Sequence, residues 1–313
     1  MVLSIKNLRI ATRESRLAVW QAEFVQKKLK SIFPHLNVEL HKMTTKGDQI
    51  LDKTLSKIGG KGLFIKELES SLLSGVTDLA VHSLKDVPVE LNDEFEIACI
   101  LERENPMDAF VSNEYKTFKD LPEGVIVGTS SLRRESQIRA KFPHLVVKPL
   151  RGNLDTRLKK LDDGQYSAII LAAAGLKRLN MMDRIKSFVS IDDSLPAVGQ
   201  GALAIEILKD KFALKEMLSY LHHEETFKCV SAERIVSQYL GGSCQVPLAA
   251  HACVINDLFQ VRALVASPDG SRILRAESFG SPDEYESVAT TVALNLIDQG
   301  AREIINASLG IDE

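Results

Sequence analysis

Val125-Ile126-Val127-Gly128-Thr129-Ser130-Ser131-Leu132-Arg133-Arg134 is the stretch whose reading decides the fold. Three β-branched residues and a glycine read as a short buried strand. Thr129-Ser130-Ser131 then turns the chain into a helix predicted to run from Leu132 to about Phe142. Downstream the scheme repeats. Leu145-Val146-Val147 is a strand, Asn153 is suited to cap a helix whose Leu154, Leu158 and Leu161 line one face, and 168–173 is a buried strand. Upstream, residues 5–12 read as a strand, and Ser15 is suited to cap a helix carrying Leu17, Trp20, Phe24, Val25, Leu29, Ile32 and Phe33 at helical spacing. A strand near 37–43, a helix over 63–73 ended by Gly75, and the continuously apolar strand Leu79-Ala80-Val81 follow. Strands alternating with helices predict parallel α/β domains.

From about residue 225 the pattern changes. A helix near 225–240 precedes strand-like runs at 246–255, 258–266 and 272–279, with Asn256-Asp257 and Pro268-Asp269-Gly270 as the turns between them. A final amphipathic helix is predicted over 283–307. This is an α+β module with a three-stranded antiparallel sheet. Candidate boundaries fall at Asn105-Pro106, at 194–201 and near 222–225.

A chain of 313 residues favours two or three domains, and 45% hydrophobic with 26% charged residues is an ordinary globular composition. The net charge of −3 excludes a globally basic nucleic-acid binder. No stretch reaches the ~18 apolar residues of a membrane span, and residues 1–6 lack the apolar run of a secretory signal. The expectation is a cytoplasmic protein with no membrane or nucleic-acid partner. It is expected to be monomeric, because no exposed apolar seam is evident. Four cysteines show no C-x-x-C pair or zinc-like spacing, so no metal is expected. Cys99 and Cys253 read as small core residues, and Cys229 as structural within a helix. Cys244, after Gly241-Gly242-Ser243 and before Pro247, reads as a loop thiol.

Charge is concentrated between Gly128 and Lys160, where nine Lys/Arg face two Asp/Glu. Arg13, Arg133, Arg134, Arg151, Arg157 and Arg178 all follow predicted strands, near the strand ends where open α/β sheets bind ligands. A single exposed arginine is better read as a solvated surface residue. Six at comparable positions favour a ligand with several carboxylates, which a guanidinium fork holds bidentately. Phosphate is disfavoured, because no G-x-x-x-x-G-K-[ST] or G-x-G-x-x-G occurs at a strand-to-helix turn; Gly59-Gly60-Lys61-Gly62 reads as a loop. His82-Ser83-Leu84-Lys85-Asp86-Val87-Pro88 follows a buried strand, so Lys85 and Asp86 fall in a tight segment at its end. There a carboxylate can stabilise a cation or move a proton, or simply close a turn.

HSLKDVP (82–88), GTSSLRR (128–134), RGNLDTRL (151–158), AAAGLKRL (172–179), PAVGQGAL (196–203) and GGSCQVP (241–247), in this order and spanning nearly the whole chain, resemble the hydroxymethylbilane synthase family. The resemblance implies two α/β lobes like those of periplasmic binding proteins, facing each other across a cleft: residues 1–103 with 200–219, and 104–199. It further implies a C-terminal α+β domain over 220–313. It implies a transferase that condenses four porphobilinogen molecules, with loss of ammonia, onto a dipyrromethane primer, then releases linear hydroxymethylbilane for haem and other tetrapyrroles. By the same resemblance Cys244 carries the dipyrromethane through a thioether, and Asp86 with Lys85 is catalytic. Ser83, Lys85, Asp86, Ser131, Arg133, Arg134 and Arg157 hold the cofactor. Arg13, Ser15, Arg151, Arg157, Arg178 and Gln200 hold substrate. The family commonly has Glu-Gly-Gly before the cysteine, where this chain has Gly241-Gly242-Ser243. The alternative from the residues alone is a non-enzymatic two-lobed binding module for a dicarboxylate. Such a module needs neither Asp86 beside Lys85 nor a thiol in a glycine loop.

Overall fold

The structure, a computed structural model, describes residues 5–49, 62–241 and 246–310. In chain order the strands among these are β1 (Asn7–Arg13), β2 (Asn37–Met43), β3 (Leu79–Ser83), β4 (Phe95–Ile100), β5 (Asp108–Val111), β6 (Ile126–Gly128), β7 (Val146–Lys148), β8 (Ala168–Ala172), β9 (Ser187–Val189), β10 (Leu203–Leu208), β11 (Leu248–Ile255), β12 (Leu258–Ala266) and β13 (Ile273–Gly280). The described residues form two compact units. One draws on Met1–Ile50, Gly60–Glu104 and Gly201–Phe227, the other on Asn105–Gln200 and Lys228–Glu313. Among them no helix is long and apolar enough to cross a membrane.

The first unit has a five-stranded sheet in the order β2-β1-β3-β10-β4. Its helix Arg16–Ile32 buries Ala18, Gln21, Ala22, Val25 and Leu29, a stripe at three- and four-residue spacing that packs on Ile10, Val81 and Ile205. Each fully buried Leu or Ile in this layer contributes roughly 1.5–3 kcal/mol. The other face of the sheet, with Ala11 and Ala80, takes Leu68 and Leu72 of helix Lys66–Leu73.

The second unit holds two sheets. One has the order β7-β6-β8-β5-β9, the other is β11-β12-β13. The three-stranded sheet is antiparallel throughout, and Asn256 and Asp257, both at positive φ, close its first hairpin. Helices Glu224–Tyr239, Tyr285–Asp298 and Ala301–Leu309 supply Val236, Val292 and Ile305 to its core.

Three expectations need correction. The α/β sheets are mixed rather than parallel: β10 runs antiparallel to β3 and β4, and β5 antiparallel to β8 and β9. Each of these two strands follows a passage of the chain from one unit to the other, not a helical crossover within its sheet, so no βαβ connection dictates a parallel direction. The final helix is two helices, parted at Gly300, whose φ of 92° a continuing helix does not allow. Cys253 is half-buried, with its Sγ 3.8 Å from the Gln260 Oε1, while Cys99 and Cys229 are buried.

Candidate active site

In the first unit, β3 runs into the 3₁₀ turn Leu84–Asp86. Leu84 is buried and its N–H donates to the Ala202 carbonyl at 3.0 Å. The Val87 N–H closes the turn on the Leu84 carbonyl at 3.0 Å. Ser83 Oγ accepts from Gln21 Nε2 at 2.8 Å. The backbone under Lys85 and Asp86 is therefore pinned on both sides. Lys85 is half-buried. The Asp86 carboxylate is exposed and makes no hydrogen bond or ion pair with any described residue.

Two more expected residues lie at the end of β1. Ser15 caps the helix Arg16–Ile32, its Oγ accepting from the Ala18 N–H at 3.4 Å. Arg13 is engaged within the protein: its guanidinium forms an ion pair with Asp48 and lies 4.3 Å from the centre of the Phe64 ring. Thr45 Oγ1 also donates to Asp48, at 2.7 Å. Burial raises the Asp48 carboxyl, but the Arg13 and Thr45 hydrogen bonds outweigh it and hold the group below the usual aspartate range.

In the second unit the expected residues gather at the C-terminal ends of β6, β7 and β8. Ser131 Oγ accepts from the Arg134 N–H at 3.4 Å and caps helix Leu132–Lys141. Ser130 Oγ donates to the Leu150 carbonyl at 2.8 Å and accepts from the Leu150 N–H at 2.9 Å, which fixes the backbone just before Arg151. Gly152 has φ 111°, and a Cβ there would come within 2.6 Å of Thr156, so only glycine makes this turn. Asn153 caps helix Leu154–Asp162 through the Thr156 N–H at 2.9 Å, and Arg157 Nε donates to the Gly152 carbonyl at 2.8 Å. Arg151 and Arg157 are half-buried. Arg178, in helix Ala173–Arg178 after β8, is buried.

Arg133, Arg134 and Gln200 are brought together by Asp108, a residue the sequence reading missed. Arg133 Nη1 lies 2.9 Å from its Oδ2, Arg134 Nη2 2.7 Å from its Oδ1, and Gln200 Nε2 3.0 Å from its Oδ1. Ser194 Oγ donates to the same carboxylate at 2.8 Å. Burial alone would raise the Asp108 carboxyl, but the two guanidiniums overcome it and hold it far below the usual range. The available signal was an acid at the head of the wholly apolar Ala109-Phe110-Val111, just after Asn105-Pro106. Cys244 lies outside the described residues, as do residues 59–61 of the glycine loop.

Residues 8–216 match the family model for the porphobilinogen deaminase, dipyromethane cofactor binding domain, and residues 227–298 match that for the porphobilinogen deaminase C-terminal domain. The chain is 60% identical to the porphobilinogen deaminase of Bordetella parapertussis over 96% of both chains. It is 58% identical to that of Chromobacterium violaceum (96% of this chain, 97% of the relative) and 56% identical to that of Neisseria meningitidis serogroup A (98% and 99%). Among solved structures, a methionine-binding protein aligns with 76% of this chain and 96% of its own at 13% identity and a TM-score of 0.45. The matches define a transferase of tetrapyrrole biosynthesis with a dipyrromethane cofactor-binding domain. The chain belongs to the porphobilinogen deaminase, or hydroxymethylbilane synthase, family.

Proposed function

We propose that this chain joins porphobilinogen units head to tail through Asp86, on a dipyrromethane held by a thioether to Cys244, and releases the finished chain by hydrolysis. The donor set fits such a group. A dipyrromethane and its substrate carry carboxylates, and Arg151, Arg157 and Arg178 offer guanidiniums at strand ends, beside helix starts capped by Ser131 and Asn153. Bound there, the cofactor supplies the pyrrole carbon to which the first unit is added. Ser131, Arg151, Arg157 and Arg178 bind acetate and propionate groups. Arg133, Arg134 and Gln200, tied to Asp108, bind through what remains of their donors and hold the Ser131 cap in place. In the first unit, Arg13 exchanges Asp48 for a substrate carboxylate, with Ser15 next to it. Lys85 and Ser83 flank the reacting pyrrole. Residues 1–103 with 200–219, 104–199 and 220–313 act as three domains. The protein works as a cytoplasmic monomer, and its net charge of −3 argues against a nucleic-acid partner.

The observation that carries this reading is the exposed Asp86 carboxylate, unpaired among the described residues, on a turn pinned at Leu84 and Val87. Loss of ammonia from the aminomethyl group of porphobilinogen leaves a cation, and a preorganised carboxylate stabilises it without having to move. Asp86→Asn is expected to lower turnover by about 10²-fold or more with an unchanged circular dichroism spectrum. Asp86→Glu should retain more activity, since the charge survives. Near-normal turnover in folded Asp86→Asn removes Asp86 from the chemistry. For Cys244, intact mass is expected to exceed the sequence mass by two linked pyrroles, and Cys244→Ser should lose the adduct and the activity together.

A further inference from the structure

A cavity of about 690 Å³ opens in the first unit between helix Lys66–Leu73 and the segment leading into β4, and none of the candidate active-site residues lines it. That volume is within the range of small-molecule sites. Its lining includes three carboxylates, Glu69, Asp93 and Glu94, against one cation, Lys66. Asp93 and Glu94 are exposed at the rim. Glu69 is the deep one: it is 7% exposed, lines the cavity, and its carboxylate has no hydrogen bond or ion pair with any described residue, its backbone N–H alone donating, to the Ile65 carbonyl at 2.8 Å. Glu206 and His82 are buried behind it on the neighbouring strands. Glu206 is 0% exposed, its Oε2 lies 2.8 Å from His82 Nε2, and its Oε1 has no hydrogen-bond partner. Burial, and then the negative charge of Glu206, push the Glu69 carboxyl up. This corner of the lobe is short of positive charge.

We infer that the cavity is a binding site for a protonated alkylamine, whose ammonium group meets Glu69 while its methylene stem lies along Leu73 and Phe95. Leu73 is 56% exposed, an apolar wall beside an acidic floor. That pairing suits an amphipathic cation better than a bare metal ion, and three carboxylates exclude an anion.

The probe is putrescine, titrated by calorimetry into the full-length protein at constant ionic strength, with acetate and sodium chloride as controls. Saturable binding of putrescine and none of acetate is expected. Glu69→Gln should weaken it at least about tenfold, as loss of a charged hydrogen bond does. Should Glu69→Gln fail to fold, Asp93→Asn combined with Glu94→Gln changes only exposed side chains and should weaken binding several-fold. Lys66→Ala should strengthen it, by removing the competing cation. Heats that do not saturate, or equal affinity in wild type and the carboxamide variants, overturn the inference.

Discussion

In the first unit β10 carries Glu206 into the sheet beside His82; in the second β5, at the same place in the strand order, carries Asp108 to Arg133 and Arg134. The two sheets otherwise follow one plan. Each has three parallel strands, then one antiparallel, then a fifth that pairs antiparallel with the fourth. Their buried carboxylates are treated in opposite ways. Asp108 accepts from Arg133, Arg134, Ser194 and Gln200, which fills the lone pairs a carboxylate offers. Glu206 has His82 on one oxygen and no partner on the other. The shared topology provides the buried position, and local donors decide what it does. The saturated acid locks a helix start, the returning strand and Ser194-Leu195 into one arrangement. The under-supplied one leaves its neighbourhood responsive to added charge.

Asp108→Ala tests this contrast with the largest effect. It leaves two buried guanidiniums without their counter-charge, and is expected to cost about 3–5 kcal/mol in urea unfolding followed by circular dichroism. A loss below about 1 kcal/mol would mean that the arginines find other partners and the knot is dispensable. Glu206→Gln comes next, at about 1 kcal/mol, because one hydrogen bond to His82 is altered and the other oxygen had none to lose. If it destabilised the protein as much as Asp108→Ala, the two lobes would be equally dependent on their buried acids.

The same contrast marks the limit of what the sequence discloses. Helix caps are local chemistry, and Ser15 and Asn153 were legible because the capping oxygen and the N–H it accepts from are three residues apart. The hairpin at Asn256-Asp257 was legible for a similar reason. The antiparallel strands were not. β5 has four residues, all buried, so it shows no alternation, and β10 is a nearly continuous apolar run whose direction is set by partners over a hundred residues away. The arginines were visible by type and place in the chain order, but not their allegiance. Nothing local tells Arg133 and Arg134, which turn to Asp108, from Arg151 and Arg157 one strand on. An ionisable residue in or beside an apolar run, as Glu206 in Leu203-Ala204-Ile205-Glu206-Ile207 and Asp108 ahead of Ala109-Phe110-Val111, was the signal that a buried partner had to exist.

Glu69→Gln gives the smallest effect and tests the sign of the electrostatics. Burial first, then Glu206, raise the Glu69 carboxyl above its ordinary 4.5; His82 and Lys66 pull the other way without prevailing. The folded chain therefore keeps this proton at pH values where the unfolded chain has released it. Stability contributed by the group is complete in acid and declines as pH rises from about 4.5 through the folded value. Asp108 has the opposite sign: its carboxyl is depressed below 3.8, so its contribution is complete above that value and is lost as pH falls. Urea midpoints measured against pH at fixed ionic strength separate the two. Wild type should lose ground to Glu69→Gln as pH climbs from 4.5, and gain ground on Asp108→Asn as pH climbs through the acid range. A wild type that instead gains on Glu69→Gln would show that a cation already holds Glu69 ionised. The acidic corner of the first lobe would then be as fully supplied as the arginine knot of the second.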